Sequence, residues 1–147
     1  MLPALKLYRF AFLLERKADQ ALQEKLGLSF SQCMILRSLR LNPECSQQCI
    51  AKCRDLTQAA VSRQVDALKA KKLIARRENE KNRREHMLSM TAKGAAALDE
   101  ALKIMQRTFD AAFKPVAAGD REQLEKTLDL LLEDICDECG GKDKPKK

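Results

Sequence analysis

The six cysteines are the candidate residues for redox or metal chemistry in this 147-residue chain. Cys45, Cys49 and Cys53 follow one another at intervals of four, and Cys136 and Cys139 form a C-x-x-C pair. Such a pair can bind a metal or take part in redox exchange. A closed zinc site needs four ligands, and a disulfide between helical neighbours four residues apart is strained. The cysteines are therefore candidates for redox chemistry, and neither a metal site nor a cofactor is predicted.

Cys49 is the strongest redox candidate among the three spaced cysteines. Ser46 is predicted to cap a short helix, which leaves Cys45 outside the helix and places Cys49 in its first turn. A helix N-terminus lowers the pKa of a thiol and so favours the reactive thiolate. Cys136 and Cys139 are the other redox candidates.

The remaining single residues receive structural interpretations. Cys53 lies near Ile50, and Cys33 sits in an apolar run, so both are predicted to be small core residues. His86 is the sole histidine and is predicted to face DNA or solvent rather than bind a metal. A thiol oxidoreductase or metal-responsive protein using Cys136 and Cys139 is the alternative function. No strand precedes that pair, so we expect no enzyme.

The segment "LTQAAVSR" (56–63) has the features of a helix that reads DNA. Thr57 is the predicted N-cap, and Leu56 and Val61 form a hydrophobic staple across it. Val61, Val65 and Leu68 then form a buried stripe at helical spacing. A short helix and a tight turn are predicted before this segment. Together with the segment they would form a helix-turn-helix.

The opposite face of that helix carries the candidate DNA contacts. Gln58 can read adenine with two hydrogen bonds, and Ala59 can contact a thymine methyl group. Ser62 and Arg63 are predicted to contact phosphates, with Thr57 at the helix start. The alternative is an ordinary amphipathic helix with a polar face.

A basic hairpin is predicted directly after the helix-turn-helix, with strands at 74–77 and 85–90 and a turn at 78–84. A hairpin in this place is a wing. Arg83 and Arg84 at its tip could enter the minor groove, whose negative potential favours arginine. The alternative is a solvated charged turn. Residues 57–84 contain nine Lys or Arg and three acids, a net charge of +6, whereas residues 120–139 have a net charge of −6.

The rest of the chain is predicted to be mainly α-helical, because Ala, Leu, Lys, Glu and Gln dominate its composition. Helices are expected over residues 3–26, from a Ser29 or Ser31 cap to 42, from Ser46 to about 54, over 57–71, from Thr91 to about 114, and from 119. The charge of +7 and the pI of about 9.2 favour a polyanionic partner. Absence of a signal peptide or membrane span predicts a cytoplasmic protein.

Three segments together resemble the MarR family of bacterial transcription regulators: "LSFSQCMILRSL" (28–39), "SQQCIAKCRDLTQAAVSRQVDALKAKKLIARR" (46–77) and "NRREHMLSMTAKG" (82–94). The resemblance covers about residues 3–139. It implies a mainly α fold with a small β-hairpin wing, that is, a winged helix-turn-helix flanked by long dimerisation helices. The implied domains are a dimerisation helix (1–27), a DNA-binding domain (28–94), C-terminal dimerisation helices (95–139) and a disordered tail (140–147).

The resemblance also implies a function. A homodimer would bind a pseudo-palindromic double-stranded operator, as a repressor released by a small-molecule effector or by thiol oxidation. Four positions depart from the family pattern. Asn82 replaces the wing aspartate that orients the arginine two residues later. Arg54 stands where leucine is preferred, and Asp55 and Lys72 stand where glycine is common. These departures concern the wing and the turns before and after the predicted DNA-reading helix (57–71).

Overall fold

The computed structural model describes residues 2–43 and 45–135. It contains six helices and one two-stranded hairpin in these residues, which confirms the predicted fold class. Cys136, Cys139 and the tail predicted at 140–147 lie outside the described residues. No described helix has the length and apolarity needed to cross a membrane.

The elements follow the order predicted from the sequence. The helices are α1 (Pro3–Leu26), α2 (Phe30–Leu41), α3 (Gln47–Cys53), α4 (Gln58–Ala70), α5 (Ala92–Phe113) and α6 (Ala118–Ile135). The hairpin strands β1 (Ile74–Asn79) and β2 (Asn82–Met90) lie between α4 and α5. Contacts divide the chain into two compact units, the first ending at Phe109 and the second beginning at Asp110.

Side-chain caps fix where the helices begin. Ser29 rather than Ser31 caps α2, and it forms a reciprocal capping box with Gln32. The Ser46 hydroxyl accepts from the Cys49 N–H (3.0 Å), and the Thr57 hydroxyl accepts from the Ala60 N–H (3.1 Å). These bonds satisfy backbone donors that have no partner inside the helix. The predicted starts of α3 and α4 are therefore confirmed.

The first unit has one apolar core, built from α1 to α5 and the hairpin. Val61, Val65 and Leu68 on α4 are fully buried, as their spacing predicts. They join a cluster that includes Leu22 of α1, residues of α2, and Leu88 of β2. Burial of this stripe fixes the rotation of α4 and leaves its opposite face to solvent.

The hairpin is longer than the sequence suggested. Its strands pair antiparallel from Ile74 with Met90 to Asn79 with Asn82, with an irregularity after Glu78. The turn is only two residues long, 80–81, so the prediction of a turn over 78–84 is wrong. Charged residues are poor strand formers, but Glu78 is held in the ladder by its pairing with His86, whereas residues 83–85 lie in the irregularity.

A close backbone approach joins the hairpin to α5. The Thr91 hydroxyl donates to the Leu73 carbonyl oxygen (3.0 Å) and accepts from the Gly94 N–H (3.0 Å). A Cβ at Gly94 would overlap the Leu73 carbonyl oxygen and lie 2.9 Å from Met90 Cγ. Glycine is therefore required where the chain leaves the wing and begins α5.

The second unit contains the end of α5, the break after it, and α6. The predicted break is present, since α5 ends at Phe113 and α6 begins at Ala118. The Arg121 side chain donates from Nε to the Val116 carbonyl oxygen (2.8 Å) and so spans the connection. Four leucines of α6 are exposed in this chain: Leu124, Leu130, Leu131 and Leu132.

Candidate nucleic-acid interface

A tight turn joins α3 to α4. The chain reverses at Asp55, whose φ of 49° is in the left-handed region, and the Leu56 N–H donates to the Ala51 carbonyl oxygen (2.9 Å). Asp tolerates this conformation better than most residues, although glycine adopts it at least cost. The turn therefore forms without the glycine that the family pattern places there.

The exposed face of α4 carries most of the predicted contacts. Gln58, Ala59 and Arg63 are exposed, and Ser62 is half-buried. Thr57 is also exposed; its hydroxyl oxygen accepts the capping bond, and its O–H can still donate. The structure thus places all five predicted residues at accessible positions, Thr57 at the N-cap and the other four on α4.

The wing presents exposed basic side chains next to its turn. Arg83 and Arg84 are both exposed, and both lie in β2 beside the turn rather than in it. Lys81 occupies the turn, where its N–H donates to Asn79 Oδ1 (3.0 Å). The Asn79 side chain also donates to Glu85 Oε2 (2.9 Å). These two bonds order the turn. Lys81 was not among the predicted DNA contacts, although its positive charge next to Arg83 and Arg84 could have identified it as one.

Asn82 has a different role from the aspartate it replaces. Its Oδ1 accepts from the backbone N–H of Arg84 at 3.2 Å. An amide oxygen can hold this backbone donor, but it lacks the charge that pairs with a guanidinium. Asn82 therefore orders the backbone at Arg84 and contributes no ion pair to its side chain.

Three contacts connect the helix-turn-helix to the wing. Arg76 of β1 pairs with Asp66 of α4 at 3.5 Å. The Leu88 N–H of β2 donates to the Cys45 carbonyl oxygen (2.9 Å), and Ser46 forms a bridge with Met87. The two backbone contacts tie the wing to the start of α3. These long-range contacts position the interface, and no local sequence signal predicts them.

The cysteines separate into buried and exposed groups. Cys33 is fully buried as predicted, and burial raises the pKa of its thiol to about 12. Cys45 is half-buried, and burial together with the nearby Cys49 and Cys53 raises its pKa to about 11. Cys53 is exposed, so its prediction as a core residue is wrong. The turn of α3 that carries Ile50 inward leaves Cys53 at the surface beside Cys49, with 3.9 Å between their Sγ atoms.

His86 lies half-buried in β2 rather than in solvent. It is paired across the hairpin with Glu78, and its Nδ1 is shielded from solvent. Within residues 2–43 and 45–135, no group of three His, Cys, Asp or Glu side chains is arranged to hold a metal ion. The accessible chemistry of this surface is therefore basic and polar side chains plus two thiols.

Comparisons with known proteins show which proteins this chain is similar to. A family model described as "MarR family" matches residues 26–85. The HTH-type transcriptional repressor MdtR of Bacillus subtilis (strain 168) is 31% identical over 111 residues, which are 76% of this chain and 62% of MdtR. The chain thus spans less than two thirds of the length of that relative.

Two solved structures share the fold. A crystal structure of MarR superposes with a TM-score of 0.81 at 22% identity, over 91% of this chain and 93% of the other. The S. aureus MepR–DNA complex gives a TM-score of 0.74 at 21% identity, over 92% of this chain and 99% of MepR. The arrangement of helices and wing is therefore that of these proteins.

Proposed function

Since the chain belongs to the MarR family, we propose that it is a homodimeric repressor of transcription that binds specific double-stranded DNA. One observation carries the proposal: the exposed face of α4 and the basic wing lie in one unit, where the Arg76–Asp66 pair joins the wing to α4 and backbone contacts tie it to the start of α3. Residues 28–94 would form the DNA-binding part. MdtR is named a repressor and MepR was solved with DNA, which supports this function.

The proposed division of labour follows from side-chain chemistry. Gln58 and Ala59 at the start of α4 would read base edges in the major groove, because an amide and a methyl group can distinguish adenine and thymine. Ser62 and Arg63 would contact phosphates and fix the register. Arg83 and Arg84 would reach the minor groove beside the half-site.

Dimerisation is proposed for the apolar surfaces at the two ends of the chain. On α1, Leu5, Tyr8 and Phe12 lie on the predicted stripe and are 55%, 72% and 51% exposed. A soluble monomer rarely exposes so many large apolar side chains on one helix, and a second copy would cover them. The four exposed leucines of α6 form a second such surface. Residues 1–27 and 95–139 would thus hold the dimer together.

Release from DNA is proposed to come from a small-molecule effector or from thiol oxidation. Cys49 is exposed in the first turn of α3, the helix that precedes α4, which supports access by an oxidant. Titrating the duplex complex with peroxide tests oxidation. A chain with every Cys changed to Ser should keep its affinity for the duplex throughout the titration. If this chain responded to peroxide as the parent does, a thiol switch would be ruled out.

The experiment that tests DNA binding is the substitution Arg84→Ala in a duplex titration at fixed salt. We expect affinity to fall about tenfold or more, with a smaller salt dependence, because one cationic contact is lost. Arg107→Ala is the control, since Arg107 is exposed on α5 outside residues 28–94. This variant should keep its affinity, and light scattering checks that it has the same oligomeric state as the parent. Equal affinity of the Arg84 variant and the parent would contradict the proposal.

A further inference from the structure

The exposed thiols of α3 form a pair that is not among the proposed DNA contacts. Cys49 and Cys53 are one helical turn apart, both are exposed, and their Sγ atoms are 3.9 Å from each other. The buried residues of α3 are Ile50 and Ala51, so the two thiols share the helix face that points away from the core. A ligand could reach both sulfurs without opening the fold.

The geometry of this pair argues against a disulfide. The sulfurs are nearly twice as far apart as in a disulfide, where the S–S bond is about 2.05 Å. Positions i and i+4 of a helix keep their Cβ atoms about 5–6 Å apart, whereas a disulfide brings them to about 3.8 Å. Closing the bond would therefore distort α3, which has only seven residues.

The same geometry suits one bridging atom. An atom bonded to both sulfurs by bonds of about 2.3 Å, the length of a zinc–thiolate bond, spans 3.9 Å at an angle of about 115°. Zinc would need two more ligands, and the described part of the chain has no third His, Cys, Asp or Glu placed to join a metal site. The pair fits instead a thiophilic atom that takes only two sulfurs.

The position of the pair links it to both DNA-contacting elements. Ser46, which caps α3 through the Cys49 N–H, forms the bridge with Met87 of the wing. The neighbouring Cys45 carbonyl oxygen accepts from Leu88 (2.9 Å). At the other end of α3, the turn to α4 follows Cys53 directly. A rigid chelate across α3 would therefore act on the segment that joins the wing to the recognition helix.

We propose that Cys49 and Cys53 form an effector site for trivalent arsenicals, and that capture of the arsenical there weakens DNA binding. The regulatory half of this inference rests on the proposed function, whereas the capture half does not. The thiols of Cys33 and Cys45 are less reactive competitors, because burial raises the pKa of both and keeps them protonated.

The capture step is balanced without any oxidant. With phenylarsine oxide as the probe, two S–H bonds break and two As–S bonds form. The arsenic–oxygen bond breaks, and the oxygen leaves with the two thiol protons as one molecule of water. The phenyl group stays on arsenic, which remains trivalent, and both sulfurs keep their oxidation state.

The first arm of the test measures capture by native mass spectrometry. It uses the full chain with Cys136→Ser and Cys139→Ser, so that the C-x-x-C pair cannot bind the probe. We expect one phenylarsenic adduct per chain, removed by excess dithiol, and its loss in chains that also carry Cys49→Ser or Cys53→Ser. Cys45→Ser is the control that keeps the adduct. No adduct on the starting chain, or an adduct that survives Cys49→Ser, would overturn the proposal.

The second arm measures duplex affinity with and without phenylarsine oxide. Capture should weaken binding about tenfold, a coupling of ordinary size for an effector, and the Cys49→Ser chain should not respond. If the arsenic-free chain binds no duplex, the proposed function fails. If it binds the duplex equally well with and without the adduct, only this inference fails. Thermal unfolding of each variant confirms that it is folded.

Discussion

Gly94→Ala should destabilise the protein more than any exposed substitution, because Gly94 lies where the wing meets α5. An added Cβ would overlap the Leu73 carbonyl oxygen and approach its carbonyl carbon to 3.0 Å. That oxygen cannot move aside freely, since the Thr91 N–H donates to it at 3.0 Å. The Thr91 hydroxyl lies 3.0 Å from the same oxygen and 2.8 Å from the Lys72 carbonyl oxygen. The start of α5 must therefore shift away from the wing.

The expected cost follows from these contacts. Overpacking a fixed site costs about 1–3 kcal/mol, and weakening one hydrogen bond to Leu73 adds about 1 kcal/mol. Alanine gains about 1 kcal/mol over glycine in a helix, which offsets part of the loss. We expect the free energy of unfolding to fall by about 1–3 kcal/mol.

The assay is urea unfolding followed by circular dichroism, at one protein concentration because a dimer's stability depends on it. Gly119→Ala is the matched control. No atom lies within 4 Å of a Cβ there, and the position is in the first turn of α6, so this variant should be unchanged or slightly more stable. If the two variants unfolded within about 0.5 kcal/mol of each other, the close approach at Gly94 would be refuted.

Three further predictions concern turns, caps and thiols. Lys72→Gly should stabilise the protein by about 1 kcal/mol in the same urea assay, because Lys72 has a φ of 60°. Lys69→Gly, inside α4, is the control and should destabilise the protein by about 1 kcal/mol. If both variants were less stable than the parent, the reasoning would be refuted. Thr57→Ala should cost about 1 kcal/mol, and Thr57→Ser much less, because only the hydroxyl caps α4; equal losses would contradict this. At pH 8 iodoacetamide should label the exposed thiols of α3 well before Cys33 and Cys45, whose pKa values of about 12 and 11 keep them protonated until the chain unfolds. Peptide mass spectrometry over time checks the order, and equal rates would contradict it.

Local signals in the sequence predicted the elements well. Ser46, Thr57 and Thr91 each precede an apolar pattern at helical spacing, and each caps a helix through a contact three residues away. Such contacts depend only on neighbouring residues, so spacing alone can identify them. The buried stripe that includes Val61 and Val65 could likewise be predicted from spacing within one helix.

Features that depend on distant residues could not be predicted in this way. The hairpin continues past Arg77 because Glu78 pairs with His86 and Asn79 with Asn82, so the sequence suggested too long a turn. Cys53 is close to Ile50 in sequence, but the direction of the core relative to α3 is set by α4 and β2. Gly94 is tight because of Leu73, twenty-one residues earlier.

Selection of duplexes from a random pool tests the central proposal most directly. A dimer that places two α4 helices in the major groove should enrich an inverted repeat, with half-sites about 10–10.5 base pairs apart or a multiple of that spacing. Gln58→Ala should relax the preference at one position in each half-site. A pool with no enriched sequence, or enrichment of a single site without symmetry, would contradict the account.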